Sequence, residues 1–165
     1  MFCLQSVFYV SRLQAWYVQH AVPEQKAKKY CEDFGFKKFY CSYDELLQDK
    51  DVEAVYIPLP NNLHLEWVKK ALSAKKHVLC EKPLAINADE AKQMYDCAKE
   101  NGVHLMEAYA YLHSPYVKSL VNDVKSVIIG DVNFIDTAFI TQFYKEAFRL
   151  HKEFGGGAMY DLGCY

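Results

Sequence analysis

Glu81 and Lys82 close the short apolar run Val78-Leu79-Cys80, and Pro83 follows them. A carboxylate and an ammonium at one strand end could hold a polar ligand or move a proton. In open α/β sheets, ligands bind outside the carboxyl ends of the strands. Pro83 lacks an N–H and locks φ, so it ends the ladder at that point. The alternative is an ordinary strand end carrying two solvated charges.

Two other strand ends are chemically loaded. In the stretch from Ile57 to His64, Pro58 and Pro60 expose backbone at the sheet edge. Asn61, Asn62 and the following helix N-terminus then supply donors for a polar ligand. His64, in the first turn of that helix, could face the same crevice; alternatively it is a surface or capping histidine. Glu107 interrupts the apolar run around Met106 and Ala108, where a lone carboxylate is ordinarily solvated or ion-paired. A fourth segment, Gly155 to Tyr165, begins with three glycines, which permit positive φ and close backbone approach. Asp161 and Tyr165 then fall four apart on one helix face. Asp161 on an apolar face costs free energy unless it has a partner. The alternative is a glycine loop before a core helix, with Tyr165 simply buried.

These positions require an alternating scaffold. Pro23 opens a helix with Ala27, Tyr30, Cys31 and Phe34 on one face and Gly35 as its stop. Phe36 to Tyr40 reads as a short strand. Ser42 and Glu45 form a capping box for a helix through Leu46 and Leu47. Ala54 to Ile57 is a continuous apolar strand of the kind buried on both faces in parallel sheets. Asn61 or Asn62 caps a helix whose apolar face is Leu63, Trp67, Val68, Ala71 and Leu72. After Val78 to Cys80, Asn87 and Glu90 cap a helix with Ala91, Met94, Tyr95 and Ala98 as its stripe and Gly102 as its stop. Val103 to Tyr109 is another strand. Ser114-Pro115 starts a helix with Tyr116, Val117, Leu120, Val121 and Val124 on its apolar side. The alternation from Pro23 to Lys125 predicts an α/β fold with a doubly wound parallel sheet. Val132 to Phe143 is too long for that sheet and reads as the first strand of a second, sheet-based domain.

The composition excludes several classes. The 165 residues are 52% hydrophobic and 24% charged, with net charge −2. That length holds one domain with a sizeable core, or one domain and part of another. Nothing in the charge favours nucleic acid or an acidic membrane. The six cysteines, at 3, 31, 41, 80, 97 and 164, form no Cys-x-x-Cys pair. They point to neither a zinc site nor a disulfide framework, and scattered thiols suit a reducing cytoplasm. Of 19 basic and 21 acidic side chains, only Arg12 falls within residues 1–22. That segment makes a poor signal peptide and a poor membrane span. It reads either as a divergent strand or helix docked on the core, or as sequence foreign to the fold.

The run Val52 to Ala91, with Leu105 to Pro115 and Phe154 to Tyr165, resembles the Gfo/Idh/MocA family of NAD(P)-dependent oxidoreductases. The order of Pro60-Asn61-Asn62-Leu63-His64, Glu81-Lys82-Pro83 and the glycine segment ending in Tyr165 makes the resemblance specific. It extends from about Pro23 to the last residue.

The resemblance implies a Rossmann domain over residues 23–125. Residues 126–165 would begin an antiparallel-sheet domain for substrate and oligomerisation. It implies NAD or NADP as cofactor, a sugar, polyol or cyclic diol as substrate, and a homo-oligomer for the full-length protein. Lys82 would stand beside the nicotinamide and the substrate hydroxyl, with a cis bond to Pro83. Glu81, Pro58, Pro60, Asn61 and His64 would lie along the cofactor, with Glu107 beyond. Asp161 and Tyr165 would line the substrate pocket, and Arg149 would contact cofactor or substrate. Tyr165 resembles the glucose–fructose oxidoreductase and dihydrodiol or xylose dehydrogenase branch, where a tyrosine is the expected proton donor or acceptor. Such a role needs help, since an unperturbed tyrosine titrates near ~10; a lysine within ~4–6 Å favours the phenolate.

One family feature has no match. The opening strand, G-x-G-x-x-G turn and helix that cradle a pyrophosphate are absent, and the first glycine is Gly35. The sequence therefore reads as a piece of such an enzyme or a truncated gene product. The alternative function is an inactive or degenerate binding protein.

Overall fold

The structure, a computed structural model, describes residues 7–10, 14–17, 28–29, 31–33, 35–36, 38–40, 42–140 and 147–165. Most of the helix expected from Pro23, and residues 141–143 of the long expected strand, lie outside them.

The centre of the fold is a three-stranded parallel sheet. Its strands β3 (Ala54–Ile57), β4 (His77–Cys80) and β5 (Leu105–Glu107) lie side by side in chain order. Before them, β1 (Val7–Val10) and β2 (Gln14–Tyr17) form an antiparallel pair, and β1 runs close to β3. Helix α1 (Tyr43–Gln48) precedes β3. Helix α2 (His64–Ser73) crosses from β3 to β4, and α3 (Ala88–Asn101) from β4 to β5. Helix α4 (Pro115–Lys125) follows β5.

Strand alternation shows which face is covered. Val55 and Ile57 of β3 and Val78 and Cys80 of β4 are buried. They share one core with Val68, Ala71 and Leu72 of α2 and Met94, Cys97 and Ala98 of α3. Each fully buried aliphatic side chain stabilises such a core by about 1.5–3 kcal/mol. Tyr56, Leu79 and Met106 point to the other face and retain exposure. The expected burial of Ala54 to Ile57 on both faces is thus corrected among the described residues. Both crossover helices pack on the same side.

Caps follow the sequence in two places. The Ser42 hydroxyl accepts from Glu45 N at 3.1 Å, and the Asn87 side chain accepts from Glu90 N at 2.9 Å. Gly102 ends α3 in the left-handed region at φ 69°, which favours glycine.

Several expected elements differ. Phe36 and residues 38–40 are coil rather than strand. Two of their side chains, Lys38 and Tyr40, reach the Asp49 carboxylate at the end of α1 instead. Asn61 and Asn62 do not cap α2; residues Asn61–Leu63 form a 3-10 turn without a side-chain cap. In α3 the buried place expected for Tyr95 is taken by Cys97, and Tyr95 is half exposed. Only Leu105–Glu107 of the expected strand Val103 to Tyr109 is in the ladder. Residues 132–140 of the expected long strand are unpaired coil, because the described chain after β5 offers no further strand to pair with. Helix α4 keeps its apolar side exposed.

Candidate active site

The carboxyl ends of β3 and β4 open on a cavity of about 520 Å³. That volume suits a small molecule, for which pockets run to roughly 300–1,000 Å³. Pro58 and Asn61 line it from the turn after β3, and Glu81 and Lys82 from the end of β4. Arg149, Asp161 and Tyr165 line it from the last segment of the chain. Pro60, His64 and Glu107 stand outside its walls.

Lys82 sits at the centre of a charged cluster. Its ammonium donates to the backbone oxygen of Asp161 and lies 3.5 Å from Asp161 Oδ1. Arg149 Nε is 3.0 Å from the same carboxylate oxygen. The Lys82 and Asp161 side chains are only 12% and 15% exposed. One carboxylate thus bridges two cations in a partly desolvated place, which gives Asp161 the partner its apolar surroundings demand. The Lys82 ammonium also lies 4.6 Å from the centre of the Tyr165 ring, over its face. That is cation–π distance. Tyr165 is half exposed and stacks on Phe139, with Tyr109 and Tyr111 close by. The Lys82–Pro83 bond is cis.

Glu81 is held by two donors. The Tyr56 hydroxyl donates to Oε1, and the Lys82 amide donates to Oε2 at 3.1 Å. Burial, then the hydrogen bond to Glu81, pushes the Tyr56 phenol well above its ordinary range. Tyr56 is not among the residues the sequence singles out. Strand parity was the available signal: Tyr56 pairs in register with Leu79, two residues before Glu81, so all three share a face.

The remaining candidates hold the frame. Asn61 donates from its side-chain amide to the Gly155 carbonyl at 2.7 Å. Gly155 has φ 72°, and a Cβ there would lie 2.7 Å from Ile86 Cγ2 and 2.9 Å from Asn61 Cβ. At Gly156 a Cβ would lie 2.5 Å from the Arg149 carbonyl oxygen. These two positions require glycine for the last segment to dock on the strand ends. His64 is fully buried, with Nδ1 2.9 Å from Pro83 O and Nε2 2.8 Å from Leu59 O. The surface reading does not match that position. Pro60 is fully buried, and Glu107 accepts the Leu84 amide at 2.7 Å, bracing the same loop from β5.

The geometry has counterparts in known proteins. A family described as an oxidoreductase family with an NAD-binding Rossmann fold matches residues 12–109, reaching further towards the N-terminus than Pro23. Trans-1,2-dihydrobenzene-1,2-diol dehydrogenase of Xenopus tropicalis is 36% identical, over 86% of this chain and 43% of its own. A D-xylose 1-dehydrogenase (NADP(+)) of Haloferax volcanii is 38% identical, over 86% and 44%. The structure of KijD10, a 3-ketoreductase from Actinomadura kijaniata in complex with NADP and TDP-benzene, superposes with TM-score 0.78 at 34% identity. That match covers 91% of this chain and 46% of the other. The chain thus spans less than half the length of these relatives.

Proposed function

Since this chain belongs to the Gfo/Idh/MocA oxidoreductase family, with its NAD-binding Rossmann fold, we propose that it works in hydride transfer between NAD(P) and a sugar, polyol or cyclic diol. One observation carries the reading. Lys82, Asp161 and Tyr165, far apart in sequence, meet in one cavity at the carboxyl ends of a parallel sheet. The nicotinamide end of a cofactor fits the polar wall formed by Pro58, Asn61, Glu81 and Lys82. The glycine turn that would cradle its pyrophosphate has no match in the sequence. When bound, the nicotinamide supplies the hydride acceptor or donor.

The chain's own residues do the rest. Tyr165 exchanges the hydroxyl proton of the substrate. Lys82 sets positive charge beside the Tyr165 ring. Asp161 balances the charges of Lys82 and Arg149, and Arg149 closes the substrate side. Residues 23–125 serve the cofactor, while residues 126–165 belong to a substrate and oligomer domain. No helix among the described residues is long and apolar enough to cross a membrane. A cytoplasmic setting and a homo-oligomer complete the reading; the unpaired Cys31, Cys80, Cys97 and Cys164 support the former.

The test is NAD(P)H absorbance during turnover in the protein and in its Lys82→Ala and Tyr165→Phe variants. Each variant is expected to lose about 10²–10⁴-fold in kcat, the range of general acid–base help. Unchanged turnover in both removes the mechanism. The alternative reading is a degenerate binding protein. Titration followed by tryptophan fluorescence separates the two: binding at micromolar NAD(P) supports the enzyme, and none at millimolar supports the degenerate protein.

A further inference from the structure

The turn after β3 and the loop after β4 both line the cavity, and residues 58–60 and 81–87 are neither helix nor strand. Loop backbone at a sheet edge has carbonyl oxygens to satisfy and few neighbours to satisfy them. Here a single side chain spans both segments. His64 Nδ1 is 2.9 Å from the Pro83 carbonyl and 3.2 Å from that of Leu84. On the opposite side of the ring, Nε2 is 2.8 Å from the Leu59 carbonyl. The ring is wholly buried, and both nitrogens face protein backbone. Glu107 holds the amide of Leu84 from the other side at 2.7 Å. The backbone immediately after Lys82 is therefore fixed by donors and acceptors from two elements.

We infer that His64 is a positioning residue: it ties the Lys82 loop to the turn after β3 and so sets where the Lys82 ammonium stands relative to Asp161 and Tyr165. Both of its ring nitrogens face backbone carbonyls, so this role requires no contact with cofactor or substrate. A displacement of about 1 Å at a reacting group can cost on the order of 10²-fold in rate, so the tie bears on turnover as well as on the fold. The link to turnover rests on the dehydrogenase reading above; the link to loop geometry does not.

Three variants separate the contacts. Asn places an amide donor near the position of Nδ1, Gln near that of Nε2, and Leu offers none. Backbone amide exchange followed by mass spectrometry reports the geometry in the cofactor-free protein. In His64→Leu and His64→Gln, exchange in residues 81–86 is expected to rise by about 10-fold or more, with helix α3 unchanged. His64→Asn, which keeps the donor towards Pro83 and loses the Leu59 contact, restores only part of the protection. In turnover, His64→Leu and His64→Gln lose about 10–100-fold in kcat while KM for NAD(P) stays within about 3-fold, and His64→Asn recovers part of the loss. Unaltered exchange at 81–86, or an equal rise across α3, overturns the inference. So does a raised KM for NAD(P) with kcat retained, which would put His64 at the cofactor. If the parent protein transfers no hydride while the exchange pattern holds, the dehydrogenase reading fails and the positioning role stands.

Discussion

At the scale of single residues, the site depends on one carboxylate serving two cations. Asp161 Oδ1 receives Arg149 Nε at 3.0 Å and Lys82 Nζ at 3.5 Å. The partners differ in solvent access: Lys82 is largely covered, whereas the Arg149 side chain is 43% exposed. Removing a partner from a covered charge costs more than removing one from an exposed charge. Asp161→Asn strips both cations of their counterion and is expected to lower stability by about 1–2 kcal/mol. Arg149→Gln leaves the Lys82 contact intact and is expected to cost less than about 1 kcal/mol. Urea midpoints at equal m-values measure both, and equal losses would deny Lys82 its share in the bridge. Glu81 and Lys82 were legible as candidates because charged groups end an apolar run, and Asp161 because it interrupts an apolar helix face; Tyr165 drew notice by its four-residue spacing from Asp161 and by the family resemblance. Tyr56 was not, because an aromatic residue within an apolar strand looks like core until register with β4 places it beside Glu81.

At the scale of elements, the parallel strands and their crossover helices were legible wherever periodicity, caps and stop signals agreed, as in α3 from Asn87 to Gly102. Phe36 to Tyr40 resembles a strand because its aromatic residues satisfy strand propensity, while the ladder partner that would realise it is missing among the described residues. What holds residues 38–40 instead is a polar anchor. Asp49, at the end of α1, accepts from the Tyr40 hydroxyl, from Lys38 Nζ at 2.9 Å and from the Asp51 amide at 2.7 Å. The Tyr40 hydrogen bond, then that from Lys38, lowers the Asp49 carboxyl from an ordinary 3.8 to about 2. A depressed folded-state pKa means that the native state binds its proton later than the unfolded chain does. The stabilisation is therefore fully present above the unfolded value, near 3.8, and is lost as pH falls through about 2. Urea unfolding across pH ~4 to ~2 is expected to show a steeper loss of stability in the parent than in Asp49→Asn. Parallel curves would show that the anchor contributes nothing through its charge.

At the scale of the whole molecule, apolar surface is unevenly distributed. The β3–β4–β5 layer and helices α1 to α3 share a buried core, yet α4 buries no residue and the stretch beyond it is exposed. Ile128, Ile129, Phe134, Ile135 and Ile140 are each more than two-thirds exposed. Soluble monomers rarely show contiguous apolar patches beyond a few hundred Å², and larger ones mark contact surfaces or association. The backbone of residues 132–140 adds donors and acceptors without ladder partners among the described residues, in a β-branched and aromatic sequence, a ready template for pairing with another chain. The net charge of −2 supplies little repulsion to oppose this. The 165-residue chain is therefore expected to self-associate, its average mass in sedimentation velocity rising with concentration. Sulfate, which strengthens apolar burial, should enhance the effect. Introducing Phe134→Lys and Ile140→Lys together places charge on both the exposed face and the unpaired backbone and should shift the distribution towards monomer. Neither side chain belongs to the buried core, so helix content should be retained. A monomer with a sharp, concentration-independent unfolding transition in the parent chain would contradict this expectation. It would mean that the stretch folds back on its own molecule in solution.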